Sequence, residues 1–107
     1  MASIAELADR VERVSAIYAQ RCDINRDDDW YALKLHEEAG ELVAEYLRAT
    51  GRGRVGDRSA SDIRSAIEDE AADLMAQLLL FCRKHGIDLE AALERKWFKH
   101  LPENQQP

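Results

Sequence analysis

A chain of 107 residues has room for one domain, and 46% apolar content is enough to build a core. The net charge of −6 speaks against general nucleic-acid or membrane-surface binding, and no run approaches the roughly 20 apolar residues of a membrane span. Low aromatic content and only two prolines, both in the last six residues, favour helices over a sheet sandwich.

The first predicted helix runs from Ile4 to Arg21, with Ile4, Leu7, Val11, Val14 and Tyr18 three and four apart. Ser3 and Glu6 have the form of a capping box. After a polar turn a second helix is expected from about Trp30 to Thr50, with Asp27, Asp28 and Asp29 at its positive end. Gly51, Gly53 and Gly56 break it and open an arginine-bearing loop that ends at Ser61. Ser59 and Asp62 form a second capping box for a third helix reaching His85, with Gly86 as its C-terminal cap. Asp88 starts a fourth helix, expected to last to about Leu101 and to stop at Pro102. The chain therefore reads as one all-α domain, residues 1–101, followed by a frayed tail, 102–107. Cys22 and Cys82 are too far apart for a paired metal or redox motif and read as reduced thiols. With no signal-peptide pattern in view, a cytoplasmic protein is expected.

An internal repeat organises the middle of the chain. Glu37–Leu47 (EEAGELVAEYL) and Asp69–Leu79 (DEAADLMAQLL) align so that Glu38 matches Glu70 and Glu41 matches Asp73. With Leu42 as the centre of the buried face of the second helix, Tyr31, Leu35, Tyr46 and Ala49 lie within about 40° of it, Glu38 at about −40° and Glu41 at about −100°. With Leu74 as the centre of the third, Ile63, Ile67, Leu78 and Phe81 share its face, and Glu70 and Asp73 fall at the same two offsets. Four acids converging near a buried face repel one another unless something offsets their charge. A divalent cation does so, and hard carboxylate oxygens suit Mg²⁺, with Mn²⁺ as the alternative. The di-iron class of carboxylate bundle needs Glu-x-x-His, and none of His36, His85 or His100 has a glutamate three residues before it.

These residues resemble a known family. Glu37-Glu38-Ala39-Gly40-Glu41, followed after 28 residues by Glu70-Ala71-Ala72-Asp73, is similar to the EExxE…ExxD signature of MazG-like all-α nucleotide pyrophosphohydrolases, over roughly Trp30 to Leu101. The resemblance implies a four-helix bundle completed by homo-oligomerisation, as a homodimer or homotetramer. It also implies Mg²⁺-dependent cleavage of a (deoxy)nucleoside triphosphate to the monophosphate and pyrophosphate, as in nucleotide-pool house-cleaning. By motif position Glu38, Glu41, Glu70 and Asp73 are the implied metal ligands. Glu37, Glu38 and Glu41 are the implied catalytic acids, Glu37 as an accessory that orients or deprotonates water; the alternative for Glu37 is a plain surface acid.

The segment Glu94–Pro102, ERKWFKHLP, resembles the lysine-rich stretch that meets the phosphates, with Lys96 and Lys99 as the best matches; the alternative is a basic cluster favoured by a helix C-terminus. Trp97 stands where some subfamilies carry asparagine. Trp30 and His36 are candidates to stack on or bond a base, whereas Tyr31 is better explained by core packing. The loop arginines Arg52, Arg54 and Arg58 either screen a triphosphate or, the favoured reading, solubilise a mobile loop. Two other functions compete: a phosphoribosyl-ATP pyrophosphatase-like enzyme, against which the long 51–61 loop counts, and a non-catalytic helical interaction module.

Overall fold

The computed structural model describes residues 1–105. They form four helices, α1 (Ile4–Arg21), α2 (Asp28–Ala49), α3 (Ala60–Lys84) and α4 (Leu89–Lys96), then two one-turn 3-10 helices, Phe98–His100 and Pro102–Asn104. No strand occurs among the described residues, and none of the helices is long and apolar enough to cross a membrane.

Local hydrogen bonding sets the starts. Ser3, Asp27, Ser59 and Asp88 each accept from a backbone N–H of the first turn, satisfying one of the donors that a helix start leaves unpaired. The Ser59–Asp62 box is reciprocal. At Ser3 only the serine half forms, and its hydroxyl turns to Glu6 Oε1 instead. Because Asp27 is the cap, α2 starts two residues before the expected Trp30.

The ends of α1, α2 and α3 share one device: the residue after the cap takes positive φ and the next amide reaches back to the last turn. Ile24 N–H bonds Ala19 O at 2.9 Å, Arg52 bonds Leu47 O at 2.8 Å and Ile87 bonds Cys82 O at 2.8 Å. The left-handed residue is Gly86 (φ 66°) after α3 but Asp23 (φ 52°) after α1.

The fourth helix is shorter than expected. It ends at Lys96 and the chain tightens into a 3-10 turn from Phe98, while Leu101 is held extended (ψ 142°), as the residue before a proline prefers. Pro102–Asn104, part of the tail expected to fray, form a further turn in which Asn104 Nδ2 donates to Phe98 O at 2.8 Å. Residues 106 and 107 lie outside the described residues.

α3 is the central helix. α2 runs antiparallel to it, with Lys84 beside Asp28 at one end and Glu41 beside Glu70 further along. α1 packs on a second side of α3 and is tied to it by an Asp9–Arg83 ion pair. The α1–α2 connection is held by Arg26, which donates two bonds to Glu12 at 2.8 and 3.0 Å and one to Ser15 at 3.1 Å. Being packed on two sides, α3 buries Leu79, Leu80 and Cys82 as well as Ile63, a wider arc than the stripe centred on Leu74.

On α2 the buried residues are Tyr31, Glu38 and Glu45, spaced by seven. That stripe centres about 40° from Leu42, toward Glu38. The correction turns Tyr46 out, 53% exposed, while Ala49, in the last turn, is also exposed.

The core is thin. No side chain among the described residues is wholly buried, and Val14, Tyr18, Leu33 and Val43 are each more than half exposed. The radius of gyration is 17.1 Å, where a compact domain of this length has about 13 Å.

Candidate metal centre

The repeat sets the site. Glu38 and Glu41 lie one turn apart on α2, Glu70 and Asp73 one turn apart on α3, and the antiparallel pairing brings the two turns face to face. Carboxylate oxygens of Glu38, Glu70 and Asp73 all lie within 4.8 Å of one another, and so do those of Glu37, Glu38 and Glu41. Glu38 belongs to both groups and is the hub, only 8% exposed.

Burial and crowding oppose ionisation. Burial, then the neighbouring carboxyls of Glu41, Asp73 and Glu38, push the Glu70 carboxyl up to about 7. Glu38 is raised for the same reasons, burial first and then Glu41 and Asp73, against a lowering pull from Lys34. Glu38 Oε2 and Glu70 Oε2 are buried with no hydrogen-bond partner among the described residues. Buried polar atoms are nearly always paired, so two orphaned carboxylate oxygens on members of one acid cluster fit a cation there. The donors are all hard oxygens, a set suited to Mg²⁺ or Mn²⁺.

A cavity of about 750 Å³ opens beside the cluster. Its apolar wall comes from α1, including Val14 and Tyr18, and its polar floor holds Trp30, Lys34, Glu38, Asp73 and Gln77. Trp30 is half-buried there, edge-on to Tyr31 with ring centroids 4.9 Å apart. Glu37 sits at the rim, its side chain 51% exposed, and accepts from Lys34 Nζ at 3.3 Å.

The other sequence candidates lie elsewhere. His36 is exposed and does not line this cavity. Lys96 ends α4 and Lys99 sits in the following 3-10 turn, both exposed. α4 meets α1 and the far half of α3 around a second cavity, near Leu79 and Cys82. Nine residues of α3 separate Cys82 from Asp73, about 14 Å of helix. Neither lysine forms an ion pair among the described residues.

Three residues beside the cluster or in its repeat are additions to the sequence reading. Lys34, 3.7 Å from Glu38, was readable as an i,i+4 partner. Gln77 carries the third buried orphan oxygen, on the cavity floor. Its repeat counterpart, Glu45, is instead fully paired: Arg58 donates to it at 2.9 and 3.2 Å, and Arg48 donates as well. Those bonds, Arg58 first, hold the Glu45 carboxyl below the usual range. Arg58 thus does more than solubilise the loop; it fastens the loop to α2.

No family model matches the chain, and neither a curated protein nor a solved structure does. The likeness to MazG-like enzymes therefore rests on the motif residues themselves.

Proposed function

We propose that this chain is a Mg²⁺-dependent nucleotide pyrophosphohydrolase that cleaves a (deoxy)nucleoside triphosphate to the monophosphate and pyrophosphate. The observation that carries the metal half of this reading is the meeting of Glu38, Glu70 and Asp73, with Glu41 joined to them through Glu38 and both Glu41 and Asp73 exposed, beside two buried carboxylate oxygens without a partner among the described residues. The nucleotide half rests on the resemblance of the two-part motif. Mn²⁺ is the alternative ion.

Glu38, Glu41, Glu70 and Asp73 would hold the metal. Bound there, it offsets the carboxylate repulsion and supplies Lewis-acid polarisation of a phosphoryl oxygen. Glu37, half-exposed at the rim, accepts the proton of the attacking water. Trp30 offers an aromatic edge of the cavity to a base, across from the apolar side chains of α1. Lys34 holds Glu37 and Glu38 in place from the same floor.

Lys96 and Lys99, assigned to the departing pyrophosphate, are supplied in this reading by another copy of the chain, since within one protomer they do not line the cavity. Assembly into a homodimer or homotetramer is supported by the thin core and the exposed apolar side chains.

The test is turnover of a panel of nucleotides with Mg²⁺ in ¹⁸O-labelled water. Label in the monophosphate, with unlabelled pyrophosphate released in one piece, is the expected result. A diphosphate and orthophosphate as first products would overturn the cleavage position. Bound Mg²⁺ with no nucleotide turned over would favour the non-catalytic module.

A further inference from the structure

Glu45 is a carboxylate on the buried stripe of α2, 5% exposed, one turn beyond Glu41 and outside the acid cluster. Both its oxygens are taken: Arg58 grips them two-pronged at 2.9 and 3.2 Å, and Arg48 adds a third bond. The arginines are themselves tied into the loop, Arg48 Nε to Arg54 O at 3.1 Å and Arg58 Nε to Val55 O at 3.4 Å. Arg58 directly precedes Ser59, the cap of α3. One side chain of α2 is thereby bolted to the start of α3.

The pair is only part-buried, the Arg58 side chain being 39% exposed, so it adds little stability, and the best-attested use of such a pair is to fix register. The loop holds three glycines, and its backbone alone does not dictate how far α3 slides along α2. A slip of one residue moves every α3 side chain by about 1.5 Å and 100°, whereas metal–ligand distances tolerate about 0.2 Å.

We infer that Glu45 and Arg58 are positioning residues for the carboxylate cluster, setting the α2–α3 register at which Glu70 and Asp73 meet Glu38 and Glu41. This rests on the metal reading above. It assigns to the loop a specific duty that none of the metal-binding residues performs.

The experiment is Mg²⁺ titration by calorimetry on the full chain, beside circular dichroism and thermal melts. Arg58→Ala is expected to keep the helical signal and to weaken Mg²⁺ binding about tenfold or more, the usual effect of removing a group that orients metal ligands. Arg58→Lys keeps the charge but loses the two-pronged grip, so its affinity falls between the two. Glu45→Ala combined with Arg58→Ala is no worse than Arg58→Ala alone, because both remove one device. Cys82→Ala, at the far end of α3, separates positioning from mere destabilisation: it lowers the melting temperature and leaves Mg²⁺ affinity unchanged.

Wild-type affinity in Arg58→Ala overturns the inference while leaving the metal reading standing. If that variant does not fold, wild-type affinity in Arg58→Lys overturns it equally. Failure of the unsubstituted chain to bind Mg²⁺ removes the metal reading, and this inference with it.

Discussion

Glu38 and Glu70 stand at matching positions of an internal repeat, on different helices, and bring carboxylate oxygens within 4.8 Å of each other. Each keeps one buried oxygen without a hydrogen-bond partner among the described residues. Such a pair costs stability when both groups are charged and no cation is present.

The first consequence is a pH dependence of unusual sign for carboxylates. Glu70 is raised from 4.5 to about 7, so the folded state binds its proton more tightly than the unfolded state does. The stabilisation from holding that proton is full below the unfolded value and is lost as pH rises through the folded one. In chelator, the melting temperature should therefore fall between about pH 4.5 and 7, once the other groups are accounted for by the same series on Glu70→Gln. Mg²⁺ affinity should rise over the same window, since the cation competes with that proton. A wild-type profile superimposable on that of Glu70→Gln would refute the coupling.

Glu70→Gln is the sharpest single substitution. It should abolish Mg²⁺-dependent turnover, leave the helical signal intact and raise metal-free stability at neutral pH by on the order of 1 kcal/mol. A loss of metal-free stability would mean that the carboxylate has a structural partner.

The helix ends offer a test independent of function. Asp23 occupies a left-handed position, φ 52°, which glycine takes without strain. Asp23→Gly should stabilise by up to about 1 kcal/mol, and Gly86→Ala at φ 66° should destabilise by about 1 kcal/mol. Urea midpoints with unchanged slopes are the measurement.

Self-association is checked on the outer face of α2. Leu33 and Val43 are 67% and 55% exposed, with Gly40 between them and open space where its Cβ would stand. Leu33→Lys should weaken an assembly that buries this stripe. Gly40→Ala should stabilise the isolated protomer by about 1 kcal/mol through helix propensity, but weaken an assembly in which another helix lies against it. Sedimentation at micromolar concentration should show at least two copies; a species of 12.2 kDa alone would rule against assembly.

What the sequence by itself determined was local or periodic. Ser3, Ser59 and Asp88 lie beside the helix starts because a cap is a hydrogen bond across three residues, readable without knowing what the helix packs on. The repeat put two acid pairs on matching sides of two helices, so their meeting needed only an antiparallel pairing. Tertiary structure decided which way each helix was rolled. α2 turned toward Glu38 and left Tyr46 outside because α3 covers that side, and burial depends on the neighbour and not on the wheel. It also decided the fates of two residues the repeat makes equivalent. Glu45 met Arg48 and Arg58 and became a clamp, while Gln77 met the cavity and kept an unpaired oxygen. It left Lys96 and Lys99 beyond the cavity, because α4 packs against α1 and the far half of α3, near Leu79 and Cys82.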